Sequence, residues 1–140
     1  MSKFQQFFKQ NKPKKSYIKY PVTKSLVDEN GKPLEWTLKS LTTAEDQKIR
    51  ENCYYKVKNA NNEDEEKFDV NKYLCKMVCA CVIEPNLFDT ELQDSYGVMT
   101  PESLIIEMVD NPNEYDALCK IVKGLNNDNS LYTKIEEVKN

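Results

Sequence analysis

Three thiols in one stretch, Cys75, Cys79 and Cys81, are the side chains of this chain best suited to bind a soft metal or attack an electrophile, and Cys53 and Cys119 bring the total to five. Helical spacing works against both uses, because it puts Cys75 and Cys79 on one side of a helix and Cys81 on another. Tetrahedral zinc needs four convergent ligands, and the chain has neither a C-x-x-C pair nor any histidine. The missing imidazole removes the Ser-His and Cys-His dyads as well. The thiols are therefore expected to fill helix interfaces as small apolar side chains, kept reduced because no export signal is evident.

The carboxylates are no better placed for chemistry. Glu63, Asp64, Glu65 and Glu66 are contiguous and lack the glycine-turned loop of a calcium site, so they read as a solvated acidic loop. Glu91 and Asp94 share a short helix, but an acid-base role would need burial. Only three glycines occur, none in a phosphate-cradling loop. No catalytic residue, metal or cofactor is expected, which leaves recognition. Trp36, Tyr54, Tyr55, Phe68, Tyr73, Tyr96 and Tyr115 are rings of the kind that anchor interfaces. Phe4, Phe7, Phe8, Trp36, Tyr54, Tyr55 and Tyr96 form the expected partner-binding set, with Trp36 and Tyr96 also the strongest structural anchors.

The partner is not expected to be nucleic acid, since charged residues make up 31% of the chain and nearly cancel to -3. Nor is it a membrane. No apolar run approaches the roughly 20 residues of a spanning helix, and MSKFQQFFKQNKPKK lacks the apolar core of a signal peptide. The expected location is the cytoplasm in which the protein is made.

A length of 140 residues corresponds to one domain. Its expected class is mainly α with an N-terminal β-hairpin (α+β): four to five helices on a two-stranded antiparallel hairpin, spanning 16–125. A mobile N-terminal segment, 1–15, precedes it and a flexible or docking tail, 126–140, follows. Phe4, Phe7 and Phe8 are spaced for one side of a short helix. From Ile18 to Leu41 the apolar residues fall at even positions around DENG. A three-residue loop with Gly31 in the left-handed conformation puts Leu26 opposite Leu34, Lys24 opposite Trp36 and Val22 opposite Leu38. Pro21 belongs at an edge or bulge.

Thr42 and Glu45 form a T-x-x-E capping box for a helix carrying Ile49, Cys53 and Val57. The polar run from Lys58 to Lys67 reads as an exposed loop. Asp69 caps a central helix with a stripe of Val70, Leu74, Met77, Val78 and Cys81, ended by Pro85. Asp89 caps a short helix closing at Gly97. Thr100-Pro101 opens a helix with Leu104, Ile105, Met108 and Val109. Asn111-Pro112 opens the last, with Tyr115, Leu118, Ile121, Val122 and Leu125. NNDNS breaks it, and Leu131, Ile135 and Val138 mark a docking stripe in the tail.

These parts in this order carry a resemblance. The FxxFFKQN-like start, DENGKPLEWTLKSLTTAED, the acidic loop, ELQDSYGV-x-x-PESL-x-x-x-M and EYDALCKIV are similar to the XkdN-like family. Its members are encoded in the tail-morphogenesis region of phages and prophages of Gram-positive bacteria and are regarded as tail assembly chaperones. NKPKK and the tail after Gly124 read as departures from that pattern. The resemblance implies a non-enzymatic protein of the host bacterial cytoplasm that shields the aggregation-prone tape-measure protein until tail tube subunits polymerise around it. It leaves self-association open. The competing reading is a structural tail or baseplate protein retained in the virion.

Overall fold

A computed structural model describes residues 3–12 and 17–127. Its strands and helices follow in the order β1 (Ile18–Tyr20), β2 (Trp36–Leu38), α1 (Thr43–Glu51), β3 (Tyr54–Lys58), β4 (Asp64–Phe68), α2 (Val70–Cys81), β5 (Val82–Glu84), α3 (Thr90–Ser95), α4 (Pro101–Met108) and α5 (Pro112–Asn127). The docking stripe expected at Leu131, Ile135 and Val138 lies outside the described residues.

The DENG turn forms as its chemistry dictates. Gly31 takes φ +80, and the Asp28 carboxylate accepts from the Asn30 and Lys32 amides at 2.8 and 3.0 Å. Val27 bridges Pro33 and the Leu34 amide donates to the Leu26 carbonyl at 2.9 Å, which is the expected register near the turn. Farther out the register changes. Ile18 faces Leu38 and Tyr20 faces Trp36, where Val22 and Lys24 were expected. The reason is a clasp. The Thr23 hydroxyl and the Lys24 amide both donate to the Glu114 carboxylate in the first turn of α5, each at 2.8 Å, and this draws residues 21–24 out of the ladder. Pro21, which has no amide to donate, gives up no ladder bond there. The offset is four residues, an even number, so Trp36 and Leu38 still present the core face.

The sheet is three-stranded, not two-stranded, in the order β1-β2-β5. After Cys81 the chain turns directly into β5, which pairs antiparallel with the open side of β2 (Leu38 with Val82, Thr37 with Glu84). Two-stranded ribbons are marginal alone, and the third strand makes β2 central. Ile18, Trp36 and Leu38 belong to one buried core cluster with Val78, Leu104, Ile105, Leu118 and Val122. The helix α2 lies in the middle, packed against α1, α4, α5 and β5.

Helix starts are set locally. Thr42 and Glu45 exchange both capping-box bonds, and Asp69, Asp89 and Thr100 each accept from the amide three residues on. Asn111 receives the Asn113 and Glu114 amides. Gly97 closes α3 at φ +68. Several expectations need correction. The helix α1 stops at Glu51, and Val57 belongs to β3. Val70, at the first position of α2, is 56% exposed rather than core, and Leu34 is 44% exposed. The last helix runs through Asn126 and Asn127, two residues past the expected break. Near the N-terminus, two short 3-10 turns, Gln5–Phe7 and Lys9–Asn11, replace one α-helical turn.

Candidate partner-binding surface

The stretch expected to be an acidic loop is a β-hairpin built on its own local chemistry. The Asn59 side chain accepts from the Asn61 and Glu63 amides at 2.9 and 3.0 Å, and Asn62 takes φ 60. Asn59 and Asn62 thus repeat the parts played by Asp28 and Gly31 in the first turn. That echo was readable in the sequence, but asparagine in place of glycine weakened it. Opposite charges face across the strands: Lys56 sits opposite Glu66, and Lys58 meets Asp64 at 2.8 Å. Cross-strand pairs of this kind supply stability that the polar sequence cannot draw from burial.

One face of this hairpin holds a ring stack. Tyr54 packs on Phe68 at 5.0 Å between centroids, Phe68 on Tyr73 at 5.6 Å, and the Arg50 guanidinium lies 4.5 Å from the Tyr73 centroid. Tyr73 also donates to Asp46, and Asp46 pairs with Arg50 at 2.8 Å. Burial opposes ionisation of Asp46, but the Tyr73 hydroxyl and Arg50 outweigh it and hold its pKa below the ordinary value. Glu45 behaves likewise: burial is outweighed by Lys39, at 2.7 Å, and by the Thr42 amide. Tyr73 is pushed up to about 12, first by burial and then by Asp46.

These shifts fix the pH dependence. Carboxylates with depressed folded pKa values contribute stability above the ordinary carboxylate range, and that contribution is lost as pH falls through their folded values. A tyrosine with a raised folded pKa loses its contribution as pH climbs from 10.0 to about 12. Thermal melts should therefore fall off on both limbs, the alkaline one shared between Tyr73 and the buried thiols of Cys53, Cys81 and Cys119, whose values are also raised. In Tyr73→Phe the alkaline limb should shrink, and an unchanged alkaline limb would show that Tyr73 is not in this network.

The expected partner-binding residues separate sharply. Phe7 is 84% exposed and Phe4 72%, with the Phe4 and Phe8 rings in edge contact at 5.4 Å. Tyr54 and Tyr55 are about half exposed on the β3–β4 hairpin. Tyr96 is half-buried against the core. Trp36 is 2% exposed on the central strand, so it has no surface to offer a partner. Its burial is that of a structural anchor, and even-numbered parity shows a shared face without showing what covers it.

A surface that the sequence did not mark lies between α2, α4 and α5. This cleft of about 380 Å³ is lined by Leu74, Cys75, Ile106, Tyr115 and Cys119 with Lys120 on its rim. Ile106 is 54% exposed at its edge. The five cysteines are unbridged and buried. Burial pushes the thiols of Cys53, Cys119 and Cys81 up, the last to about 12. Cys79 rises through its hydrogen bond with Cys75 and through burial. Cys75 moves down because that same bond, helped by the Tyr115 hydroxyl, outweighs burial. No group of three metal-ligating side chains occurs among the described residues. No helix among them is long and apolar enough to cross a membrane. Among the described residues the surface offers half-exposed rings, an apolar cleft and a mixed-charge rim, an arrangement suited to protein contact.

The pattern of the phage XkdN-like tail assembly chaperone family matches residues 4–139. That span takes in both NKPKK and the tail, the two segments expected to depart from the family. No curated protein matches. The crystal structure of the protein yqbn is similar in fold, with a TM-score of 0.75 over 92% of this chain and 99% of that chain, at 15% sequence identity.

Proposed function

The chain belongs to the XkdN-like phage tail assembly chaperone family, and from that premise we propose that it binds and shields the tape-measure protein during tail morphogenesis. It makes and breaks no covalent bond. The family match carries this reading. The physical logic is that a long helical protein awaiting its tube exposes apolar helix faces, and a small partner covering them by helix-in-groove contact prevents their aggregation. The exposed Phe4, Phe7, Phe8, Tyr54 and Tyr55, with the cleft edged by Ile106, are the surfaces suited to that contact. Release to tail tube subunits requires modest affinity at each contact and several copies along one tape measure. The complex forms in the host cytoplasm.

Co-expression with the tape-measure protein should keep the latter soluble and recover both in one complex. Ile106→Asp adds a charge at a position already open to water, so the fold persists while capture weakens by roughly tenfold, equivalent to about 1.4 kcal/mol. Failure to rescue or capture the tape measure would remove the reading. Mass spectrometry of purified particles tests the competing one: stoichiometric retention in virions would make this a structural tail or baseplate component.

A further inference from the structure

A second cleft, of about 400 Å³, opens between the start of α1, the side of α2 and the end of α5. Tyr73 and the largely buried Leu41 and Met77 supply its apolar wall, Thr42, Thr43 and Asp46 its polar one, with Arg50 and Lys123 also lining it. We infer that this cleft is the docking site of the chain's own C-terminal tail, residues 128–140, with Leu131, Ile135 and Val138 seated along it.

Three observations converge on that occupant. First, the chain leaves α5 at the cleft itself: Asn126 forms part of the wall, and its side-chain oxygen accepts from the Leu41 amide at 2.7 Å. Whatever follows Asn127 starts at the rim. Second, the tail has a suitable pattern. Asp128, Asn129 and Ser130 are turn formers, and Leu131, Ile135 and Val138 recur at i, i+4 and i+7 while Glu136 and Glu137 fall on the opposite side. That stripe covers about 10 Å of helix. Third, the family pattern continues to residue 139, so the tail is part of what defines the family.

A tethered segment beginning at the rim has an effective concentration in the millimolar range, which favours it over a second copy or a dilute partner. It would also cover α1, which buries none of its own side chains. The inference stands independently of the tape-measure reading.

Hydrogen exchange on the full chain tests it directly. Amides from Leu131 to Val138 should be protected, equally at high and low protein concentration. Two altered chains extend the test, one ending at Asn127 and one carrying Leu131→Asp with Ile135→Asp. In either, exchange in α1 should speed up at least tenfold and the melting temperature should fall by about 3 °C or more. Tail amides exchanging at unstructured rates would overturn the proposal, as would α1 exchange unchanged in both altered chains. Protection that fades on dilution would assign the cleft to a second copy and overturn it equally. The measurement on the unaltered chain decides the matter even if truncation prevents folding.

Discussion

Val78→Asp is expected to leave no cooperatively folded protein. Val78 is 0% exposed, on the helix that packs against α1, α4, α5 and β5. A carboxylate there has two outcomes, ionised without a partner or protonated without an acceptor, and either costs several kcal/mol. A domain of this size has a total stability of about 5–15 kcal/mol. Leu104→Asp, also at 0% exposure, should behave the same way. The control is Val70→Asp, on the same helix but exposed and in its first turn. A negative charge there complements the helix dipole, so the change should stay within about 0.5 kcal/mol of zero. Circular dichroism melts of the three variants separate these outcomes. If Val78→Asp and Val70→Asp melted alike, the orientation of α2 would be wrong.

Trp36→Ala comes second, at a cost of about 3–5 kcal/mol, because a large ring is removed from a packed site that can collapse only in part. Its pairing partner Tyr20 and its strand neighbour Leu38 sit on short strands, and losing the ring opens a void in the core they share. Tyr54→Ala removes a ring already 51% exposed and should cost about 1 kcal/mol or less. The single tryptophan gives its own readout. Native emission should be blue-shifted and resistant to iodide quenching, changing abruptly on unfolding. Strong quenching in the native state, or a wild-type melt for the alanine variant, would put the ring at the surface after all.

The contrast between those two rings shows where sequence reading stops. Both lie on strands and both are amphipathic. What differs is the neighbour: Trp36 lies in the core cluster with residues of the helices, whereas the β3–β4 hairpin pairs only with itself. Strand β5 was the hardest element to see, since Val82, Ile83 and Glu84 simply continue an apolar helix and their pairing partners lie more than forty residues upstream. The clasp of Thr23 and Lys24 on Glu114 spans some ninety residues and no local signal announces it. The candidate surface was legible only as a set of ring residues. Of these, Phe4, Phe7, Phe8, Tyr54 and Tyr55 are exposed, and the cleft at Ile106 arises where three helices meet.

The sequence by itself determined where the helices begin, how the DENG turn closes and which side of each core helix is apolar. Caps, left-handed glycines and apolar spacing act over four or five residues, within reach of one another before the chain has folded. Only the tertiary structure decided the third strand, the four-residue offset that buries Val22 and Thr23, and which aromatic rings remain at the surface. Each of those depends on contacts between distant segments, and their free energy exists only once the whole core has assembled.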